Sequence, residues 1–381
     1  MLIVCLVSLC ARGQGEFRLD VHSLADGPPA LARAGSRPIR KRPRKPARLK
    51  GVPEALSDRA AYFVVPTGSG PLFLAIDLSE PPVLYADTDW DNDLGDEKPA
   101  PLTPTDETTY RAALIMVKPA DGKEPLAVQL ELWAHVKGGT VPWITVAPAV
   151  FHAGKATFGE TTCAVALLDH NLDGHLLGRA DKLALDFNAN GDFEYGPLIN
   201  EIMPLQAIVR VENAYYSVEA EPDGSTIRFK KITPACGTVA VEDPSVRITV
   251  AADVGTFLLE PSAGTWALPC GKYKIVSAAL ATRDEQGDEW ILRCIRLPGE
   301  TRAFEIRESE TTALTVGPPF ALATDVKKRG RTVSIGLNLA GRAGERYLPS
   351  ALRNGKMLEP PKLRILDEKG HELAAGAFRY G

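Results

Sequence analysis

Apolar residues recur along this chain in short runs with a period close to two, and polar or turn-forming residues separate the runs. AYFVV (60–64), PLFLAID (71–77), YRAALIMV (110–117), LAVQLELWAHV (126–136) and PWITVAPAVF (142–151) are the clearest in the first half. AIVRVE (207–212), YYSVEA (215–220) and STIRF (225–229) follow. In LAVQLELW, Leu126, Val128, Leu130 and Leu132 share one face of a pleated strand, and Gln129 and Glu131 lie on the other. Sustained helical periodicity is nearly absent; residues 348–357 predict one short helix. Many short strands at regular spacing predict a mainly β fold of two or three β-sandwich-like domains in tandem, after a signal peptide and a disordered basic linker.

The chain has 381 residues, enough for more than one domain. Residues 1–10 read MLIVCLVSLC, an apolar stretch of signal-peptide length and too short to span a bilayer, so residues 1–15 are expected to be an export signal. No later stretch approaches the ~20 apolar residues a transmembrane segment needs. Residues 16–55 are expected to be a basic, Pro-rich linker. Between Gly27 and Lys50 lie nine basic residues and no acidic one, so the net charge of −4 becomes −4 − 9 = −13 for the rest of the chain. Six prolines and mutual repulsion predict that 27–55 stays off the folded body as a solvated spacer. The competing reading is attachment to an anionic surface such as cell-wall polymer, lipid headgroups or nucleic acid; the spacer is favoured because no aromatic residue is interleaved for base stacking.

Candidate chemistry concentrates in 167–194, LLDHNLDGHLLGRADKLALDFNANGDFE, within the β domain expected over 56–235. Asp169, Asn171 and Asp173 occupy positions 1, 3 and 5 of a tight loop, Gly174 allows the reversal, and His175 can add a carbonyl oxygen. Calcium takes six to eight hard oxygen ligands, and this spacing converges several on one point. The pattern recurs at Asp186, Asn188 and Asn190 with Gly191, and Asp192 and Glu194 add charge. A third segment alternates Asp87, Asp89, Asp91 and Asp93, with Asn92 where the other loops have Gly. Asn tolerates the left-handed conformation, so the turn stays possible. The competing reading is that Asp, Asn and Gly form ordinary turns. Recurrence favours calcium.

These DxNxDG loops resemble EF-hand and dockerin-type calcium loops, including those of thrombospondin-type repeats. The resemblance implies Ca²⁺ as the ligand. It departs at position 12, where the EF-hand glutamate would fall on Ala180 and Pro197. Asp181 is then the expected late carboxylate of the first loop, on a hairpin-like frame in place of a helix pair. Further on, GTWALPCGKYKIVSAAL (264–280) resembles transthyretin-like, carboxypeptidase-regulatory-type sandwiches, where such a phrase closes one strand and opens the next. This implies a β-sandwich over 236–315, followed by a C-terminal β unit over 316–381.

Motifs for catalysis are missing: there is no HExxH, GxSxG, Walker loop or GxGxxG. His170 and His175 are expected to face solvent. No CxxC pair exists; of the cysteines beyond residue 10, Cys270 and Cys294 are expected to pair across a hairpin whose turn is ATRDEQGDE (281–289). The expectation is an exported, non-enzymatic calcium-binding protein of the periplasm, cell surface or medium, whose partner is a protein or glycan. The alternative is a carbohydrate-active hydrolase or its accessory binding module, with Trp90, Trp133, Trp143, Tyr215 and Tyr216 as candidate sugar-facing aromatics.

Overall fold

The computed structural model describes residues 15–112, 115–117, 128–196, 200–260, 264–330 and 332–379. It is 55% strand and 4% helix, so the fold is mainly β and of β-sandwich type. The chain forms two compact units. One comprises 1–195, 201–207 and 211–231, and the other 196–200, 208–210 and 232–381. The expected signal peptide lies outside the described residues up to 14; Gly15 is already paired with Phe229 in an antiparallel ladder.

The first unit is built on an antiparallel sheet in the order Arg37–Arg40, Thr140–Pro148, Val128–Lys137, Thr109–Ala112, Ala100–Asp106, Val83–Ala86, Gly70–Asp77 and Ala61–Thr67. Its inward face carries Phe63, Val65, Leu72, Leu74, Leu130, Leu132, Ile144 and Val146, all buried in one cluster. The period-two pattern therefore places alternate residues in the core, as a pleated strand must. The opposite face of Val128–Lys137 is covered too: Glu131 is buried and ion-paired with Arg111. A second sheet orders Ile202–Pro204, Lys182–Leu185, Thr161–Leu168, Val150–Phe158 and Asp20–Ser23.

The tract 27–55 is not a free linker. Pro29–Gly35 forms a short helix with Pro at its first position, where the missing N–H costs nothing. Leu31 is fully buried, in a cluster with Leu24, Phe151, Leu168 and Phe193. Arg37–Arg40 then adds an edge strand along Thr140–Pro148, with Ile39 opposite Ile144. Leu49 is buried against Phe73, Tyr85 and Leu94. Three apolar anchors, Leu31, Ile39 and Leu49, outweigh the repulsion of a charge run whose side chains can stay in water. The prolines sit at the helix start, in an edge strand and in turns, the positions where Pro does no damage.

In the second unit, Cys236–Val241 lies between Thr265–Pro269 and Thr311–Leu314. A larger sheet joins Thr256–Leu259, Val246–Ala251, Gly271–Arg283, Glu289–Arg296, Arg346–Tyr347, Thr332–Ala340 and Ala321–Arg329. Residues 316–381 are thus no separate unit: Arg346–Tyr347 and Leu352–Arg353 both pair with Glu289–Arg296. The helix expected over 348–357 is replaced by a two-residue hairpin. Leu352 pairs with Met357 and Arg353 with Lys356, while Asn354 and Gly355 have φ of 50° and 74°. Asn-Gly is the signature of a type I′ turn, and that local signal outweighs a weak helical pattern. All four described cysteines are free. The ladder places Arg293 opposite Ala279, so Cys294 faces position 278 and Cys270 lies eight residues along from it.

Leu31→Ala should lower the stability of the first unit by about 2–5 kcal/mol, as expected for truncating a fully buried leucine. Urea unfolding followed by tryptophan fluorescence measures it. A change under ~0.5 kcal/mol would mean that the tract does not contribute to the core.

Candidate metal centres

Three Asp/Asn-rich loops each start at the residue after a strand. Asp87 follows Val83–Ala86, Asp169 follows Thr161–Leu168, and Asp186 follows Lys182–Leu185. The three share one backbone path. The fourth residue is left-handed in each: Trp90 (φ 67°), Leu172 (φ 59°) and Ala189 (φ 54°). The sixth is left-handed as well: Asn92 (φ 65°), Gly174 (φ 82°) and Gly191 (φ 92°). Asn92 does what Gly does in the other two, by the tolerance of Asn for this region.

Side-chain oxygens direct this path. The fifth residue's amide donates to the third residue's oxygen, from Asp91 to Asp89 Oδ1 (3.2 Å), Asp173 to Asn171 Oδ1 (2.9 Å) and Asn190 to Asn188 Oδ1 (3.0 Å). The seventh residue's amide donates to the fifth's, from Asp93 to Asp91 Oδ1 (2.7 Å), His175 to Asp173 Oδ1 (2.9 Å) and Asp192 to Asn190 Oδ1 (2.9 Å). Asp169 Oδ2 accepts from Gly174 (2.8 Å) and Asp186 Oδ2 from Gly191 (2.9 Å). Such bonds turn the oxygens inward while leaving each a lone pair free.

Each loop also pins one apolar side chain into a core: Leu94, Leu172 and Phe193 are buried. Gly68, at the turn between Ala61–Thr67 and Gly70–Asp77, lets the first loop approach. Its amide donates to Asn171 O (2.9 Å), and a Cβ there would lie 2.5 Å from Asp173 Oδ2. The 27–55 tract holds the 87–97 loop through Lys50 N to Asn92 O (2.8 Å) and Leu94 N to Gly51 O (3.2 Å).

A further buried carboxylate closes two of the loops. In the 169–181 loop it is Asp181, fully buried, whose Oδ2 accepts from Leu177 N (3.0 Å) while Oδ1 has no hydrogen-bond partner among the described residues. Burial, with Asp169 and Asp173 nearby, pushes its pKa up to about 7. Burial likewise pushes Asp169 to about 6, with Asp173 adding to the rise. Arg37 lies beside Asp169 and donates to Pro66 O (3.0 Å). In the 186–194 loop the closing group is Glu201, which the sequence pattern did not single out. It is buried, accepts from Glu194 N (3.0 Å) and Asn188 N (3.4 Å), and its pKa is raised by burial and by Asp186. Asp192 is exposed, and Glu194 bonds Asn188 Nδ2 (2.6 Å). Glu201 stands outside the loop motif, as a lone acid among Ile and Met; only tertiary packing brings it to Asp186.

In the third loop, oxygens of Asp87, Asp89 and Asp91 lie within 4.8 Å of one another. Two oxygens bound to one calcium at ~2.6 Å can be at most ~5.2 Å apart, so this spacing suits a shared ion. Asp87 is buried with Oδ1 unpartnered, and its pKa is pushed up to about 6 by burial and then by Asp91 and Asp89. Glu97 accepts from Thr88 at the loop's far end, and Asp93 turns away to cap Gly95 N (2.7 Å).

His170 and His175 do not face solvent. Both are half-buried, and burial followed by Lys182 and Arg37 pushes His170 down to about 4, so it is neutral at pH 7. The loops starting at Asp169 and Asp186 stand at opposite ends of the strand Lys182–Leu185, ~13–16 Å apart at ~3.3 Å per residue. Tyr215 and Tyr216 are buried, whereas Trp143 is exposed and stacks on His135 at 5.3 Å.

Because the folded-state pKa values of Asp87, Asp169 and Asp181 lie above the ordinary 3.8, the ion-free fold binds more protons than the unfolded chain. Their contribution to stability is full below about pH 4 and is lost as pH rises through 6 to 7. In chelator, the melting temperature should fall between pH 5 and pH 8 by roughly 5 °C or more, at ~3 °C per kcal/mol. Asp181→Asn should flatten that fall. An equal fall in wild type and variant would show that Asp181 is not the group responsible.

Compared with known proteins, the chain gives no match: no family model, no curated protein and no solved structure matches it.

Proposed function

We propose that this is an exported, non-enzymatic β protein whose Asp/Asn-rich loops bind Ca²⁺, and that the ions stiffen loops on a scaffold that holds a protein or glycan at the cell surface. One observation carries the reading: Asp87 and Asp181 each keep a buried carboxylate oxygen without a partner among the described residues, close to other carboxylates. A buried, unpaired anion is costly, and a divalent cation at that point removes the cost. Two buried acids outside the loops are satisfied without an ion. Asp77 accepts from Ser57 N (2.6 Å) and Ser79 N (2.9 Å), and Glu345 from Gly317 N (2.6 Å) and Ala343 N (2.9 Å).

Asp169, Asn171, Asp173 and Asp181 supply the first site, with the His175 carbonyl available as a further oxygen. Asp186, Asn188, Asn190 and Glu201 supply the second, and Asp87, Asp89 and Asp91 the third. Without an EF-hand glutamate at position 12, affinity is modest, which suits millimolar calcium outside the cytoplasm. A hydrolytic site needs two free carboxylates across a sugar. The cleft of about 340 Å³ lined by Ser57, Arg59, Asp77 and Thr140 offers one, and its oxygens are held by backbone amides. Exposed Trp143 and Tyr195 are aromatics available for a glycan.

A site with Kd of ~10⁻⁴ M at ~1 mM calcium contributes ~1.4 kcal/mol. Wild type should melt several degrees higher in calcium than in chelator. Asp181→Asn and Glu201→Gln should each remove about one site's share, and calorimetry should show fewer ions bound. No calcium-dependent shift in wild type, with no heat of binding, would overturn the calcium reading.

A further inference from the structure

Folding the basic tract onto the body does more than bury its leucines. It fixes a set of cations around an open cleft of about 600 Å³. Lys41, Arg42, Arg44, Lys45 and Arg59 line it, with Asp58 as the one acid among the lining residues, so the lining carries +5 − 1 = +4. The backbone that presents these groups is held at several points. Lys41 N donates to Pro142 O (2.9 Å), Arg42 N to Tyr62 O (2.8 Å), and Arg59 N to Ser57 Oγ (3.3 Å). Among the described residues none of the five cations forms an ion pair; the Lys45 ammonium donates to its neighbour's carbonyl at Lys50 (3.2 Å). Arg42, Arg44, Lys45 and Arg59 are exposed. On the far side of the cleft, Gly138 and Gly139 form a bare turn with nothing within 4 Å of either Cβ position. Half-buried Tyr62 contributes the one aromatic ring.

We propose that this cleft is an anion-binding site for a sugar or similar polyol carrying two or more phosphate or sulfate groups. Like charges gathered on a fixed frame repel one another, and that repulsion is relieved when a multiply charged anion sits among them. Three guanidiniums supply planar, paired N–H donors that fit the oxygens of phosphate and sulfate, and two ammonium groups add point charge. The glycine turn leaves room for the ligand's bulk, and the Tyr62 ring offers a face for its carbon skeleton. The basic residues are thus a recognition surface rather than a spacer, and the site is separate from the acidic loops.

The test is calorimetric titration of the full chain with two probes, sucrose octasulfate and fructose 1,6-bisphosphate, at 50 and 200 mM salt, with glucose as the uncharged control. At least one charged probe should bind saturably at one site and weaken several-fold at the higher salt. Tighter binding of the first probe marks a sulfated ligand, and of the second a phosphorylated one. The pair Arg42→Ala with Arg59→Ala should lose at least tenfold in affinity, and Arg44→Ala with Lys45→Ala should lose affinity as well. Unchanged melting temperatures check that each variant is folded. Saturable binding that survives both double substitutions, or no saturable binding of either charged probe by wild type, overturns the proposal.

Discussion

Carboxylates held at strand ends, two of them with a buried oxygen left unpartnered among the described residues, set the terms for the first unit. A strand that ends in Asp turns its chain back through two left-handed residues, and the following side chains cap the loop's own amides. That geometry gathers negative charge where water is scarce. Asp181 and Asp87 are the extreme cases, with pKa values pushed to about 7 and about 6. Repulsion of this kind would unravel an isolated loop. Here each loop is held by a buried apolar residue and by amide bonds to neighbouring chain, so the carboxylates stay converged.

The same unit answers charge of the opposite sign with packing. The basic tract crosses the molecule as helix, edge strand and turns, anchored by Leu31, Ile39 and Leu49. It touches the acidic loops at defined points: Arg37 beside Asp169, Lys50 and Gly51 bonded to 92–94. Its remaining cations gather at a separate cleft. Segregating the two signs, rather than pairing them one to one, leaves both surfaces open to ions of opposite charge. The second unit handles its acids differently. Glu345 is buried yet fully engaged by two amides and the Tyr347 hydroxyl, and calls for no ion.

Alternation of apolar and polar residues was enough to establish a mainly β fold, because a pleated strand exposes every second side chain to the same surroundings. The spacing of Asp169, Asn171 and Asp173, repeated at 186–190 and 87–91, was enough to mark three equivalent loops, because positions 1, 3, 5 and 6 of such a turn are set locally by side-chain-to-backbone bonds. Asp181 was also legible, as the next acid after the loop. Asn354-Gly355 was legible too, as a type I′ turn, and was obscured by a weaker helical pattern.

Tertiary structure alone decided the rest. Whether a proline-rich, basic tract packs depends on apolar partners such as Phe151, Leu168 and Tyr85, which come from more than a hundred and from a few tens of residues away. Glu201 reaches Asp186 because Ile202–Pro204 pairs with Lys182–Leu185, a register no local motif contains. The cysteine spacing of 270 and 294 fitted a hairpin, but the ladder's register placed other residues opposite one another. Local bonds fix a loop's path from its own sequence; which charges meet in the folded chain is fixed by strand order and register, which belong to the sheet as a whole.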